Sequence, residues 1–131
     1  MLSRSANKID FDIVGHFDLI TKFDETDVPM FLNNAEYIKL AGGYLKKAVG
    51  AGVPFEVNTG AISRGYRKTP YPQQELLHML LKLDGKIILS SDSHSADTLD
   101  FAFEETKKYL YDIGFRYTYV LSDNGFQKDF L

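Results

Sequence analysis

The chain has 131 residues, a length that suits one modest domain with its own hydrophobic core. Hydrophobic residues make up 44% and aromatic residues 14%, which is the composition of a globular protein and not of a disordered one. The formal net charge of -3 gives no reason to expect a nucleic-acid partner. Because cysteine is absent, disulfides and thiolate metal sites are excluded, and any metal must be bound by His, Asp or Glu.

Residues 1–131 are predicted to form a single domain, because they contain no internal repeat, low-complexity segment or linker. Residues 1–7 lack a long apolar core, so we expect no signal peptide. No apolar run in the sequence is long enough to span a membrane, so no membrane partner is expected. These features predict a cytoplasmic protein.

The first part of the chain predicts a strand, a loop and the start of a helix. Residues 11–14 form a short, interrupted apolar run that predicts a strand ending just before His16. Residues 22–30 are polar and predict a loop. Asn33 or Asn34 is then placed to cap the helix that follows.

The middle of the chain predicts a helix, a strand and a long loop. Apolar residues at helical spacing extend over residues 35–49, and Gly50 ends this helix. Residues 53–57 predict a second strand. The loop over residues 60–72 is long for a compact domain, and loops of that length are often functional. A helix with a leucine-rich face follows Pro72.

The last part of the chain predicts a strand, a helix and another strand. Residues 86–89 form the third apolar run, and Ser95 or Asp97 is placed to cap a helix that ends at Gly114. Residues 117–121 are rich in aromatic and β-branched side chains and predict a fourth strand. The remainder is predicted to be a short tail.

The alternation of predicted strands and helices indicates the fold class. The order β-α-β-α-β-α-β predicts an α/β architecture in which parallel strands alternate with helices. In such folds, ligands bind beyond the carboxyl ends of the strands. His16, Glu56 with Asn58, and Asp92 with His94 all lie at predicted strand ends.

Asp92 and His94 are the strongest candidates for a functional site, because they follow an apolar strand directly. In an extended Asp-x-His segment the two side chains can point the same way. One oxygen and one nitrogen ligand placed together suit zinc, iron or manganese. The alternative is a capping aspartate and a surface histidine, since the serines around them could form a capping loop on their own.

Candidate polar groups also stand at the other two strand ends. Taken alone, His16 is more often a hydrogen-bonding structural residue, and Asp18 offers it a second ligand or an orienting partner. Glu56 is expected to point to solvent or to pair with a basic residue. Asn58 and Thr59 are better placed to hydrogen-bond a substrate or a metal-bound water.

The loop after the second strand concentrates positive charge in an acidic protein. Arg64 is the better candidate for binding phosphate, because a guanidinium matches phosphate with paired hydrogen bonds. Lys22 is expected to add a point charge nearby. For Arg67 and Lys68 a solvated basic loop is the preferred interpretation.

These segments resemble the histidinol-phosphatase branch of the PHP (polymerase and histidinol phosphatase) family. They run through almost the whole chain and in the family's order. The matching segments are residues 12–20, residues 56–60, Arg64-Gly65 with Tyr71-Pro72, and residues 90–95. The last of them, with Asp92 and His94, is the most specific.

The resemblance implies a distorted β/α barrel, of which this chain matches about the C-terminal half. It also implies a hydrolase of histidine biosynthesis, a phosphatase that acts on L-histidinol phosphate with divalent metal ions (Zn, Mn or Fe). His16, Asp92 and His94 resemble family metal ligands, and Asp92 with His94 would be catalytic, Asp92 also taking a proton from the attacking water. Arg64 and Lys22 fall where this branch carries basic groups for the substrate phosphate.

The sequence departs from the family because it lacks the N-terminal His-x-His pair and the further ligands of the first half. Three explanations stay open: a fragment or truncated gene product, one half of a split barrel, or a stand-alone remnant that binds metal or phosphate with little catalysis. The function is therefore either phosphomonoester hydrolysis or non-catalytic binding. Unpaired strand edges favour a homodimer, or a partner that supplies the missing half of the barrel.

Overall fold

The computed structural model describes residues 10–131, so the prediction about a signal peptide in residues 1–7 lies outside the described residues. Within this range the chain forms a four-stranded sheet with helices packed against one face. No helix in the described part of the chain is long and apolar enough to cross a membrane.

The helices of residues 10–131 are α1 (Ala35–Val49), α2 (Gly60–Ser63), α3 (Gln74–Lys82) and α4 (Phe103–Ile113). Helix α1 has the predicted bounds. Its cap is Asn34, whose side chain accepts a hydrogen bond of 3.0 Å from the backbone N–H of Tyr37. Helix α4 begins later than predicted. After Ser95 the chain makes only a single 3-10 turn, and Ala102, at a φ of 58°, separates that turn from the helix.

The strands are β1 (Phe55–Asn58), β2 (Ile87–Ser90), β3 (Tyr117–Ser122) and β4 (Gly125–Phe130). They lie side by side in chain order, and β1, β2 and β3 are parallel. The strand predicted over residues 11–14 is reduced to one parallel bridge between Val14 and Phe55. It is short because His16, at a φ of 55°, turns the chain away two residues later.

The prediction that residues after β3 form a short tail is wrong. Strand β4 pairs antiparallel with β3 through six residue pairs, from Tyr117 with Phe130 to Ser122 with Gly125. The two residues between the strands form a tight hairpin loop, and Gly125 follows with a φ of 90°. The fold is therefore mixed α/β with a mostly parallel sheet, as the sequence predicted.

The two faces of the sheet differ, because alternate strand residues point to opposite sides. Phe55 and Val57 on β1 and Ile87 on β2 belong to the hydrophobic core with α1, α3 and α4. Glu56 and Asn58 alternate with them and project from the opposite face. The core therefore fixes which polar side chains of β1 face the candidate site.

Candidate functional site

Polar residues collect at the edge of the sheet where β1 and β2 end. These strands pair in parallel with Asn58 opposite Ser90, so their carboxyl ends lie together. The structure groups the candidate residues into two clusters. The histidine cluster comprises His16, Glu56, Asn58 and Tyr71, and the arginine cluster comprises Arg64, Asp92 and His94.

The histidine cluster is centred on the Glu56 carboxylate. Its Oε2 accepts a hydrogen bond of 2.6 Å from the backbone N–H of His16 and lies 3.2 Å from the Nδ1 of the same residue. Its Oε1 accepts a bond of 3.0 Å from Nδ2 of Asn58. The hydroxyl of Tyr71 lies 3.3 Å from Nδ1 of His16. The His16 ring is therefore held on its Nδ1 side by several polar groups.

Sequence reasoning missed the role of Glu56. The carboxylate does not point to solvent, because the residue is buried at 8% exposure. The basic residue beside it is His16, whose Nδ1 lies 3.2 Å from its Oε2. The sequence did contain a signal for the position of Glu56. It lies two residues before Asn58, so the two side chains must point to the same face of a strand. The alternation of β1 could therefore have placed both residues in the site.

The Asp18 carboxylate makes no hydrogen bond or ion pair with His16, in contrast to the partnership suggested by its spacing. It is buried, and its carboxylate accepts hydrogen bonds of 2.6 Å from the hydroxyl of Tyr37 and 2.7 Å from the backbone N–H of Gln73. These bonds tie the loop after His16 to α1 and to the start of α3. Asp18 therefore has a structural position and is not a ligand candidate.

The arginine cluster joins the end of α2 to the loop after β2. Nη2 of Arg64 donates a hydrogen bond of 2.6 Å to the backbone carbonyl of Asp92, and Nη1 lies 3.6 Å from its Oδ2. Oδ1 of Asp92 lies 3.7 Å from Nε2 of His94, whose side chain is 78% exposed. Nη1 of Arg64 is buried and has no hydrogen-bond partner among the described residues. The guanidinium thus keeps a donor that is not used within residues 10–131.

Gly60 connects the two clusters. Its backbone N–H donates a hydrogen bond of 2.8 Å to Oδ1 of Asn58. A Cβ at this position would lie 2.7 Å from Nη1 of Arg64 and 2.9 Å from the carbonyl oxygen of Ser91, closer than real contacts allow. The absence of a side chain at Gly60 therefore lets the Arg64 guanidinium reach the end of β2.

The remaining basic candidates lie in neither cluster. Nζ of Lys22 lies 5.3 Å from the ring centroid of Phe23 and 5.7 Å from that of Tyr66, so the cation rests on an exposed aromatic pair. The preferred interpretation of Arg67 as a solvated residue is wrong, because it is 5% exposed and donates a bond of 2.7 Å to the hydroxyl of Thr21. Lys68 is exposed, as predicted.

The arrangement does not form a complete metal site by itself. Within residues 10–131, no group of three or more His, Asp or Glu side chains could hold a metal ion together. What the structure offers is two separate pairs of potential donors, His16 with Glu56 and Asp92 with His94. Zinc sites in proteins normally have at least three protein ligands. The described residues therefore do not fit a closed metal site.

Asp18 and Asp24, which both lie in the loop after His16, carry opposite pKa shifts. Burial raises the pKa of Asp18 above its ordinary value of 3.8, although its hydrogen-bond donors oppose the shift. For Asp24, burial alone would raise the pKa, but backbone N–H groups of Leu32, Met30 and Phe31 together lower it. The two carboxyls should therefore affect stability in opposite ways as the pH changes.

We expect Asp18→Asn and Asp24→Asn to separate these effects in urea unfolding measured between about pH 3 and pH 7. Folded Asp18 keeps its proton above the unfolded pKa, so the stability of wild type relative to Asp18→Asn falls as the pH rises above 3.8. Folded Asp24 loses its proton first, so the advantage of wild type over Asp24→Asn is present above 3.8 and disappears below it. Parallel pH profiles for the two variants would contradict these assignments.

Comparison with known proteins gives two related proteins and no matching family model. A protein of Schizosaccharomyces pombe named probable histidinol-phosphatase is 37% identical over 99 residues, which cover 75% of this chain and 32% of that protein. A protein of Deinococcus radiodurans with the same name is 29% identical over 110 residues, covering 81% and 37% respectively. The chain thus spans about a third of the length of the curated relatives it matches.

Proposed function

We propose that this chain carries part of the active site of a phosphatase of the histidinol-phosphatase type. The reaction is hydrolysis of a phosphomonoester, with L-histidinol phosphate as the expected substrate in histidine biosynthesis. The names of the two related proteins support this assignment. The observation that carries it is the Arg64 guanidinium, held beside Asp92 and His94 at the carboxyl edge of the sheet.

Arg64 is assigned to the substrate phosphate. Its side chain is mostly buried, its Nη1 has no hydrogen-bond partner among the described residues, and its pairing with the Asp92 carboxylate is loose at 3.6 Å. An unsatisfied buried donor is costly, and a phosphate oxygen would satisfy it with a charge-assisted bond. Nη1 is shielded from solvent, so the guanidinium must shift slightly to make this contact. Lys22 is assigned a weaker role as a second positive charge.

Asp92 and His94 are assigned to the chemical step. The Asp92 carboxylate is partly exposed and can accept the proton of the attacking water, while His94, 3.7 Å away, orients it. Arg64 offsets negative charge on the phosphoryl oxygens as the bond to the leaving oxygen breaks. The proton that Asp92 takes from the water passes to the leaving oxygen, so the products are inorganic phosphate and the free alcohol.

A divalent metal ion, Zn, Mn or Fe, belongs to the proposal but needs ligands from outside the described residues. His16, Asp92 and His94 are the contributors expected from this chain, and the ion would supply Lewis-acid stabilisation of the phosphoryl group. The remaining ligands would come from further residues of a longer protein, from a second copy of the chain or from another polypeptide. Association with another chain is supported by exposed apolar side chains on β3 and on the edge strand β4, where Leu121 is 70% exposed and Phe130 is 73% exposed.

The test is release of inorganic phosphate from L-histidinol phosphate by the purified chain with Mn²⁺ or Zn²⁺. The matched control carries Asp92→Asn and His94→Ala, which change the proposed site and leave the hydrophobic core intact. Release by the wild-type chain well above this control is the expected result. Equal release by the two proteins would contradict catalysis by this chain.

The alternative function is binding of phosphate or metal without hydrolysis. It is favoured by one observation, the lack of a group of three potential metal ligands within residues 10–131. Titration with inorganic phosphate, read by calorimetry, separates the two functions when it is combined with the phosphate-release assay. Binding that depends on Arg64 but brings no hydrolysis would support the binding module and exclude the enzyme.

A further inference from the structure

The two ring nitrogens of His16 have different surroundings. Nδ1 lies 3.2 Å from Oε2 of Glu56, 3.3 Å from the hydroxyl of Tyr71 and 3.5 Å from Nδ2 of Asn58. No described residue hydrogen-bonds to Nε2, and the side chain as a whole is 49% exposed. In a neutral imidazole only one of the two nitrogens carries a proton, so the contacts at Nδ1 decide which nitrogen is free to act.

The Glu56 carboxylate decides between the two tautomers. If Nδ1 were unprotonated, its lone pair would face that of a carboxylate oxygen at 3.2 Å. If Nδ1 carries the proton, the same contact is an electrostatic attraction between its N–H and the carboxylate charge. Asn58, at 3.5 Å, is too far away to outweigh it. Tyr71 can serve as an acceptor through its hydroxyl oxygen.

The position of Glu56 is itself fixed from several sides. Its Oε1 is held by Asn58, whose amide is oriented in turn by the backbone N–H of Gly60 at 2.8 Å. Its Oε2 is held by the backbone N–H of His16 at 2.6 Å. Asn58 is fully buried and its amide group is occupied by these bonds. The predicted contact of Asn58 with substrate is therefore replaced by a supporting role.

We propose that Glu56, braced by Asn58, is a positioning residue that holds His16 in the Nδ1–H tautomer and so presents Nε2 as the nitrogen available to a ligand. This arrangement resembles the general one in which a carboxylate orients a functional histidine through its second nitrogen. Its use in phosphate chemistry rests on the function proposed above. The tautomer itself follows from the contacts at Nδ1 alone.

The experiment is ¹⁵N NMR of the histidine rings in the labelled full chain at about pH 9, more than two units above the ordinary histidine pKa of about 6.5. The spectrum distinguishes protonated from unprotonated ring nitrogens, and a His16→Asn variant assigns the signals of His16. We expect His16 to show protonated Nδ1 and unprotonated Nε2 in wild type. In Glu56→Gln we expect a new population with the proton on Nε2, while His94 keeps its wild-type pattern as an internal reference.

Two results would overturn the inference: protonated Nε2 in the wild-type chain, or an unchanged His16 tautomer in a folded Glu56→Gln chain. The wild-type measurement decides the matter even if the variant fails to fold. Glu56→Asp, which keeps a carboxylate, should retain more of the Nδ1–H form than Glu56→Gln. No substrate is used, so loss of the proposed phosphatase activity and loss of the tautomer are separate outcomes.

Discussion

Replacement of Arg64 by alanine is expected to weaken binding of inorganic phosphate about 10- to 100-fold, the loss that follows from removing one charged hydrogen-bond donor. If the chain hydrolyses a phosphomonoester, the same change should lower turnover by about 10²- to 10³-fold, because a preorganised positive charge at the phosphoryl oxygens is lost. Calorimetric titration measures the first effect, and a phosphate-release assay measures the second.

Two control variants accompany this prediction. One keeps a positive charge at residue 64, and the other keeps Arg64 and removes a positive charge elsewhere. Arg64→Lys retains a positive charge but loses the planar fork, so it should lie between wild type and alanine. Arg116→Ala removes the same charge just before β3, at the opposite edge of the parallel sheet, where the guanidinium lies 4.1 Å from the Tyr111 ring centroid. Equal losses in Arg64→Ala and Arg116→Ala would show that net charge alone, and not this site, governs phosphate binding.

The elements that the sequence predicted best are those with local signals. Helix α1 has an asparagine cap, an apolar face at helical spacing and a glycine stop within one continuous segment, and its bounds agree with the prediction. Strand β4 was missed because its alternation of Phe126, Lys128 and Phe130 is broken by a charged residue. The Asn124-Gly125 pair, a strong hairpin signal, was nevertheless present in the sequence.

Residues whose partners are distant in sequence were harder to predict. Arg67 lies in a basic run, for which the sequence favours exposure to solvent. In the structure it is buried, and it donates a hydrogen bond to Thr21, 46 residues away. The Asp18 carboxylate accepts a hydrogen bond from the backbone N–H of Gln73, 55 residues away, and does not pair with the nearby His16. By contrast, the sequence placed Asn58 and Asp92 at the carboxyl ends of parallel strands, and the pairing of β1 with β2 brings those two ends together. Topology was therefore predictable where single contacts were not.

The largest effect on stability is expected for Phe55→Ala. Phe55 is fully buried at the start of β1, pairs in parallel with both Val14 and Ile87, and packs edge-on against Phe17 at 5.7 Å between ring centroids. Removing a buried aromatic ring leaves a cavity and costs about 3–5 kcal/mol. That is a large part of the roughly 5–15 kcal/mol by which small domains are stable.

Phe130→Ala is the matched control, because it makes the same substitution in the same sheet at a residue that is 73% exposed. Its expected cost is about 1 kcal/mol, mainly from the lost contact with Tyr117 at 5.9 Å between ring centroids. Urea unfolding followed by circular dichroism measures both losses. A cost for Phe55→Ala no greater than that for Phe130→Ala would mean that β1 is not the centre of the core. The cluster that fixes Glu56 and Asn58 on the opposite face of β1 would then lose its structural basis.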